Sequence, residues 1–173
     1  MTCMFAYVEN LLYLCAEKRK IMQRATVIIL FTLLSTMLMA QSHFYKGNSS
    51  YSSDILYTWD GKSLYRGNSS YSSDILYTFD GKYVYKGRSS YSSDILYSWN
   101  GKYIYRGKSN YSSDILYTWD GKSLYRGKST YSSDILYTFD GKHIYRGRST
   151  YSSDILYSFD GALPLPILMM IIQ

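Results

Sequence analysis

The chain has 173 residues with a formal net charge of +6, and 22 of its residues are tyrosine. Both cysteines, Cys3 and Cys15, lie among the first 40 residues, so the remainder offers no thiol for disulfides, zinc-thiolate sites or a cysteine nucleophile. From residue 41 onward, 15 basic and 11 acidic residues are interspersed along the chain, unlike the clustered basic patch of a nucleic-acid-binding protein.

The first 40 residues have the composition of a targeting leader. An apolar run from Ala25 to Met39 follows Arg24 and ends at the small residue Ala40. This order predicts a secretory signal peptide, with a signal helix, over residues 22–40. We interpret residues 1–21 as an over-extended gene start, the alternative being an N-terminal membrane anchor with EKRK as its positive flank. We therefore expect an exported bacterial protein, in the periplasm, at the cell surface or secreted, that meets the membrane only through this leader.

Residues 41–161 form a tandem repeat with a period of 20 residues. The heptapeptide YSSDILY occurs six times at constant spacing, which predicts one supersecondary unit used six times. A larger block of three units is also repeated, since TWDGKSLYRG occurs at 58–67 and again at 118–127. The tyrosines that open the six copies are Tyr51, Tyr71, Tyr91, Tyr111, Tyr131 and Tyr151.

Each unit has the pattern of a β-hairpin. The segment DILYTW at 54–59 is rich in β-branched and aromatic residues, and KSLYR at 62–66 follows an Asp-Gly pair. Such a pair favours a two-residue type I′ turn, in which both residues have positive φ. Asn-Gly replaces Asp-Gly in one unit and suits the same turn. The turn-forming residues are Asp60, Gly61, Asp80, Gly81, Asn100, Gly101, Asp120, Gly121, Asp140 and Gly141.

This turn also predicts the register and the two faces of the hairpin. It places Trp59 opposite Lys62 and Tyr57 opposite Leu64. Position 64 is Leu, Val or Ile in the units, so we expect it in the core with Tyr57 and Trp59. Position 63 varies among Ser, Tyr and His, so we expect it to point outward. The expected core face holds Ile55, Tyr57, Trp59 and Leu64, and the other face holds Leu56, Thr58, Ser63 and Tyr65.

Two architectures satisfy the need of isolated hairpins to pack on one another. A first strand at 43–47 without its partner and a last strand at 154–159 without its partner suit a closed propeller- or trefoil-like ring. The apolar tail at 162–173, however, offers its own return strand, so closure is not required. We therefore expect an all-β fold of six tandem 20-residue β-hairpin repeats stacked as an open β-solenoid. In that fold the tail is a terminal strand or a cap.

The hairpin sequence ILYTFDGKYVYKG resembles two bacterial repeat families. It is similar to the choline-binding repeats of cell-wall proteins, which are also aromatic-rich hairpins, and YTFDGK is similar to the core of the tyrosine–aspartate repeats of large secreted shell proteins. The choline-binding pattern pairs Gly-Trp with a downstream aromatic doublet, whereas Trp59, Trp99 and Trp119 here precede Asp or Asn. The resemblance implies an extracytoplasmic aromatic hairpin array and no particular ligand.

The repeats do not have the composition of a catalytic site. A Ser-His-Asp set would need His43 or His143, and His143 occupies the variable position that is Ser or Tyr elsewhere. Asp60 is explained by its turn, and we interpret Asp54 as a residue that hydrogen-bonds to backbone amides of the connector rather than as a Ca²⁺ ligand in a stacked column. We predict no enzymatic activity, no cofactor and no metal site.

Tyrosines interleaved with cations suit single-stranded nucleic acid or glycan. We interpret the basic column at position 66 as a ladder that neutralises Asp columns, and we expect no nucleic-acid partner. The predicted function is an exported structural or surface repeat protein, with self-association among its expected contacts. The alternative is a multivalent adhesion or glycan/cell-wall-binding module, which requires an ordered aromatic patch that stays exposed. The candidate ligand contacts are Tyr51, Tyr71, Tyr91, Tyr111, Tyr131, Tyr151, Tyr83 and Tyr103.

Overall fold

The computed structural model describes residues 18–20, 22–24 and 41–172. Contacts divide the chain into two units, residues 1–40 and 41–173. In the first unit, residues 18–20 and 22–24 are helical, and most of the predicted signal segment lies outside the described residues. The described part of the chain contains no helix with the length and apolarity needed to cross a membrane.

Within residues 41–172, twelve antiparallel strands close into a barrel. Each strand pairs with its neighbours in the chain, and the first strand pairs with the last. A 3₁₀ helix in each connector precedes the next strand, at Ser52–Asp54, Ser72–Asp74, Ser92–Asp94, Ser112–Asp114, Ser132–Asp134 and Ser152–Asp154. The strands are β1 (Ser42–Lys46), β2 (Ile55–Trp59), β3 (Ser63–Arg66), β4 (Ile75–Phe79), β5 (Tyr83–Lys86), β6 (Ile95–Trp99), β7 (Tyr103–Arg106), β8 (Ile115–Trp119), β9 (Ser123–Arg126), β10 (Ile135–Phe139), β11 (His143–Arg146) and β12 (Ile155–Phe159).

The expectation of an open β-solenoid is wrong, because β1 pairs with β12. Phe44 lies opposite Phe159, and their rings stack with centroids 5.9 Å apart. The Asp160 carboxylate secures this junction by accepting hydrogen bonds from the His43 amide at 2.5 Å and the Tyr45 hydroxyl at 2.9 Å. Closure pairs both edges that a solenoid would leave exposed. The ring alternative is therefore the one adopted, as a barrel rather than a propeller or trefoil.

The hairpin turn lies one residue further along the chain than predicted. The Asp60 amide donates to the Ser63 carbonyl at 3.2 Å, so the two central residues are Gly61 and Lys62. Gly61 has a φ of 96°, and no described residue other than glycine has positive φ. A type I′ turn centred on Asp60-Gly61 is therefore wrong, because it would need positive φ at the aspartate as well.

The register correction changes the strand partners but preserves the two faces. Trp59 pairs with Leu64, and Tyr57 pairs with Arg66, two residues away from the predicted partners. Because side chains alternate with a period of two, a two-residue shift leaves each on its original face. The prediction that position 64 lies in the core is confirmed, since its residues are at most 1% exposed. They are Leu64, Val84, Ile104, Leu124 and Ile144.

Two positions differ from the predictions, the isoleucine in its face and position 63 in its exposure. A β-bulge between successive repeats puts Ile75 opposite Tyr65, so the isoleucine of each repeat leaves the core face. Position 63 lies on the outer face as expected, but Ser63 is buried and Tyr83 is half-buried. The outer face near the turns is therefore covered by its own side chains rather than freely exposed.

The aspartate before each turn glycine acts as a hydrogen-bond acceptor, and its backbone conformation is ordinary. The Asp120 carboxylate accepts from the backbone amides of Lys122 and Ser123 at 2.8 and 2.6 Å, and from the Tyr125 hydroxyl at 2.6 Å. Asn100 accepts the two equivalent amide hydrogen bonds with its side-chain oxygen, while its amide nitrogen donates to the tyrosine hydroxyl. The amide side chain therefore preserves all three contacts.

Replacing Asp120 with alanine is expected to lower the free energy of unfolding by about 1–2 kcal/mol, because three donors lose their protein acceptor. The Asp120→Asn variant is the matched control, since Asn100 already occupies an equivalent turn. It should cost less than half as much in urea unfolding followed by circular dichroism. Equal losses in the two variants would show that the side-chain hydrogen bonds do not stabilise the turn.

The apolar tail forms helix α1 (Leu165–Ile172) instead of a strand. Ile167 is fully buried, and α1 belongs to the same hydrophobic core as Phe44 and Leu64 of the strands. The helix begins beside Pro164, whose carbonyl accepts the Ile167 amide at 3.0 Å. Side chains alone fill a barrel of about eight strands. The wider twelve-stranded barrel therefore has room for α1 among the side chains of its core.

Candidate functional site

The two ends of the barrel differ in charge. The turn end contains the hairpin turns and the β12–β1 junction, and the connector end contains the connectors with their 3₁₀ helices. From residue 41 onward, the turn end carries five basic and five acidic side chains, whereas the connector end carries ten basic and six acidic ones. The whole positive excess of this region therefore lies at the connector end.

Six tyrosines at the connector end remain exposed once the hairpins have packed. Each has 72–75% of its surface accessible, and they are the exposed large hydrophobic side chains of residues 41–172. They occupy the same position of each connector, immediately before its 3₁₀ helix. We call them the outer tyrosines: Tyr51, Tyr71, Tyr91, Tyr111, Tyr131 and Tyr151.

The backbone of each outer tyrosine is held by a serine and an aspartate of its own connector. The Ser49 hydroxyl donates to the Asp54 carboxylate at 2.5 Å, and the Tyr51 amide donates to the Ser49 oxygen at 3.2 Å. The Asp54 amide donates back to the Tyr51 carbonyl at 2.9 Å. The ring therefore projects from an ordered backbone, which lowers the entropy lost when it contacts a ligand.

The serine was missed by the sequence reasoning, which assigned Asp54 to backbone amides of the connector. The signal was present in the sequence. In every repeat a serine stands two residues before the first tyrosine of YSSDILY, which is five residues before the aspartate. The same hydroxyl-to-carboxylate hydrogen bond is made in every connector.

The two remaining candidate contacts, Tyr83 and Tyr103, lie away from the outer tyrosines. They occupy position 63 near the turn end, where both are half-buried. The Tyr83 ring packs edge-on against Tyr85 with centroids 6.3 Å apart, and Lys82 Nζ lies 5.0 Å from its centroid. Tyr103 has the equivalent contacts with its own neighbours. The structure therefore does not bring these two residues together with the other six.

A second set of tyrosines lines the inside of the barrel near the connector end. Burial is the main cause that raises the pKa of Tyr157, and neighbouring Tyr57 and Tyr137 add to it. Tyr137 also donates a hydrogen bond to the Ile172 carbonyl at the end of α1, at 3.0 Å. The Tyr157 phenol therefore remains a protonated donor at neutral pH. The inner tyrosines are Tyr57, Tyr77, Tyr97, Tyr117, Tyr137 and Tyr157.

Each inner tyrosine lies opposite a basic residue on the adjacent strand. Directly paired residues point to the same face of a sheet, so each of these cations lies next to an inner tyrosine at the connector end. Arg126 lies close enough to Tyr117 to oppose the rise of its pKa, which burial causes. All six basic side chains are exposed. We call them the cation ring: Lys46, Arg66, Lys86, Arg106, Arg126 and Arg146.

No member of the cation ring forms an ion pair within the described part of the chain. In the described residues, the close contacts between a basic and an acidic side chain join His43 to Asp160 at 3.2 Å and His143 to Asp140 at 2.9 Å, both at the turn end. The interpretation of the basic column as a partner of Asp columns is therefore not supported by any direct contact. The ring presents its charge to solvent.

Both histidines are held by aspartates of the turn end. Burial alone would raise the pKa of Asp140, but hydrogen bonds from His143, from Tyr145 and from two backbone amides lower it well below its usual range.

Among the described residues there is no group of three or more His, Cys, Asp or Glu side chains that could hold a metal ion. The turn end also has an open apolar cavity of about 880 Å³, lined by Trp99, Trp119 and Phe139 beside the first turn of α1.

The fold and these rings define a closed six-fold β-hairpin repeat protein. Residues 44–168 match the family of 6-fold beta flower proteins, and the chain belongs to that family. No curated protein and no solved structure matches the chain. The predicted resemblance to β-hairpin repeat arrays is confirmed at this level, but the match does not point to choline-binding repeats in particular.

Proposed function

We propose that this protein is a multivalent binding module for a glycan or another cell-envelope polymer, with the connector end as its binding face. The observation that carries the proposal is the six-fold repetition of an outer tyrosine that is 72–75% exposed on a hydrogen-bonded backbone. An aromatic side chain left in water at every repeat contributes little to folding. A flat apolar ring is suited to stacking on the face of a sugar ring.

Repetition provides affinity that a single tyrosine cannot supply. Equivalent positions on neighbouring hairpins are two strands apart, which corresponds to about 10 Å or more along the barrel wall. A polymer with regularly spaced rings can therefore meet several outer tyrosines at once. Each additional contact is intramolecular after the first, so weak individual contacts combine into strong overall binding.

A purely structural array has less support. Arrays of hairpins grow by adding strands to a free edge, and closure of β1 on β12 leaves no such edge in this barrel. We further propose that the protein is exported to the periplasm, the cell surface or the medium, as the composition of its leader indicates, and that it has no catalytic activity.

Replacing three alternate outer tyrosines, as Tyr71→Ala, Tyr111→Ala and Tyr151→Ala together, is expected to weaken binding at least about ten-fold. One lost contact of about 1.4 kcal/mol already corresponds to that factor. Binding is measured by pull-down with insoluble peptidoglycan sacculi and with chitin. The matched control is the same triple change to phenylalanine, which keeps the stacking ring. Unchanged binding by the alanine variant, or no binding of the wild type to either polymer, would contradict the proposal.

A further inference from the structure

We infer that the polymer bound at the connector end is anionic, and that the cation ring is the part of the site that selects it. This inference rests on the proposed function and specifies the chemistry of its ligand. The ring has six members at equivalent positions, one contributed by β1 and five by the returning strands of the hairpins. Closure of the barrel therefore converts a column in the sequence into a circle of positive charge.

The charges of the ring are free to bind an external anion. None of the six contacts a carboxylate within 4.0 Å in the described part of the chain, and all six are exposed. The six aspartates of the same end accept hydrogen bonds from the connector serines, such as Ser49 and Ser69, instead. A surface whose cations are unpaired attracts polyanions and guides their approach.

The kind of cation also favours oxyanions. Four of the six ring members are arginine, whose planar guanidinium makes paired hydrogen bonds with carboxylate, sulfate or phosphate groups. The phenols of the inner tyrosines lie on the same face, each directly paired with a member of the ring. An anionic group at the rim of the barrel would therefore meet cationic and hydroxyl donors together, while the outer tyrosines provide apolar contact for the sugar rings.

Stabilisation of the end of α1 does not account for the whole ring. Cations near the C-terminal end of a helix are favourable, and Tyr137 already donates a hydrogen bond to the Ile172 carbonyl there. That effect acts within the last turn of one helix and would be satisfied by one or two charges. Six charges arranged around the barrel, four of them arginine, instead match an extended ligand that carries several anionic groups.

The test compares two probes that differ only in charge: polygalacturonate and its methyl-esterified form. The wild type is expected to bind polygalacturonate at least about ten-fold more tightly, with an affinity that falls as salt is added, because exposed charges are screened. The variant Arg66→Gln, Arg106→Gln and Arg126→Gln should lose this preference. It should bind the esterified polymer as before, and its melting temperature should stay within a few degrees of the wild type.

The control variant Lys62→Gln, Lys102→Gln and Lys122→Gln removes the same charge from the same three repeats at the turn end. It should keep the preference for polygalacturonate. Equal binding of the two probes by the wild type would overturn the inference while leaving the proposed function intact, and so would an equal loss in both triple variants. Equally tight binding of duplex DNA would also overturn it, because the ring would then be a general polyanion surface. The proposed function would fail on a separate result, namely unchanged binding of the outer-tyrosine alanine variant to sacculi and chitin.

Discussion

Replacing Ile167 with alanine is expected to lower the free energy of unfolding by about 2–5 kcal/mol. Ile167 is fully buried in α1 and belongs to the core that α1 shares with the strands. The barrel wall around it is closed by hydrogen bonds on every strand, so it cannot collapse into the space that the side chain leaves. The cavity therefore adds its own cost to the lost burial.

Met170 provides the matched control on the same helix. Its side chain is only half-buried, so Met170→Ala should cost less than about 1.5 kcal/mol in the same urea titration followed by circular dichroism. A chain that ends at Gly161 should lose the cooperative transition and bind an apolar dye, since the aromatic interior would be open to water. Similar small losses for both point variants would contradict a stabilising role for α1 inside the barrel.

Stability is expected to be greatest between about pH 5 and pH 9 and to fall on both sides of this range. On the acid side, burial opposes ionisation of Asp80, but hydrogen bonds from two backbone amides and from Tyr85 hold its pKa below the ordinary 3.8. The pKa values of Asp120, Asp140 and Asp160 are lowered in the same way. A carboxylate with a lowered folded-state pKa stabilises the protein above its unfolded pKa. That stabilisation is lost as the pH falls below about 4.

On the alkaline side, the hydrogen bond to Asp80 is the main cause that raises the pKa of Tyr85 from 10.0 to about 12, and burial adds to it. The pKa values of Tyr65, Tyr125 and Tyr145 are also raised, each with its turn aspartate as the first cause. A phenol with a raised pKa stabilises the folded state below its unfolded value of 10.0. That stabilisation is lost as the pH rises from 10 toward 12.

Both limbs of the profile come from the same hydrogen bonds, so one set of substitutions should weaken both. Changing Asp80, Asp120 and Asp140 to asparagine makes these turns resemble the one at Asn100, which has no carboxylate to titrate. Melting temperatures measured from pH 2 to pH 12 should then vary less with pH than in the wild type. A profile as steep as that of the wild type would show that the pH dependence arises elsewhere.

The outer tyrosines and the cation ring illustrate how much of the candidate site was accessible from the sequence. The tyrosines were identifiable because each stands in a polar connector, where no strand partner covers it. The basic column was also visible, but its interpretation as a neutralising ladder was incomplete. Its role depends on what surrounds it in space, and the aspartates of that end accept hydrogen bonds from serines such as Ser49 instead.

The sequence by itself determined the features that depend on neighbours in the chain. Alternation along DILYTW and the glycine at Gly61 are local signals, and they predicted the hairpins, their two faces and the buried position 64. The register was missed by two residues, because the Asp60 side chain binds the turn amides and moves the turn to Gly61-Lys62. Even so, the period of two kept Tyr57, Trp59 and Leu64 on the predicted core face. The isoleucine left that face, because a β-bulge lies between successive repeats.

Only the tertiary structure decided closure and the fate of the tail. The pairing of Phe44 with Phe159 joins residues from opposite ends of the repeat region, and it depends on the accumulated twist and curvature of all the intervening strands. The same tail sequence could serve as a return strand in an open array. Once β1 occupies that place, the tail's apolar residues are buried as α1 in the core of the closed barrel, which no local pattern specifies.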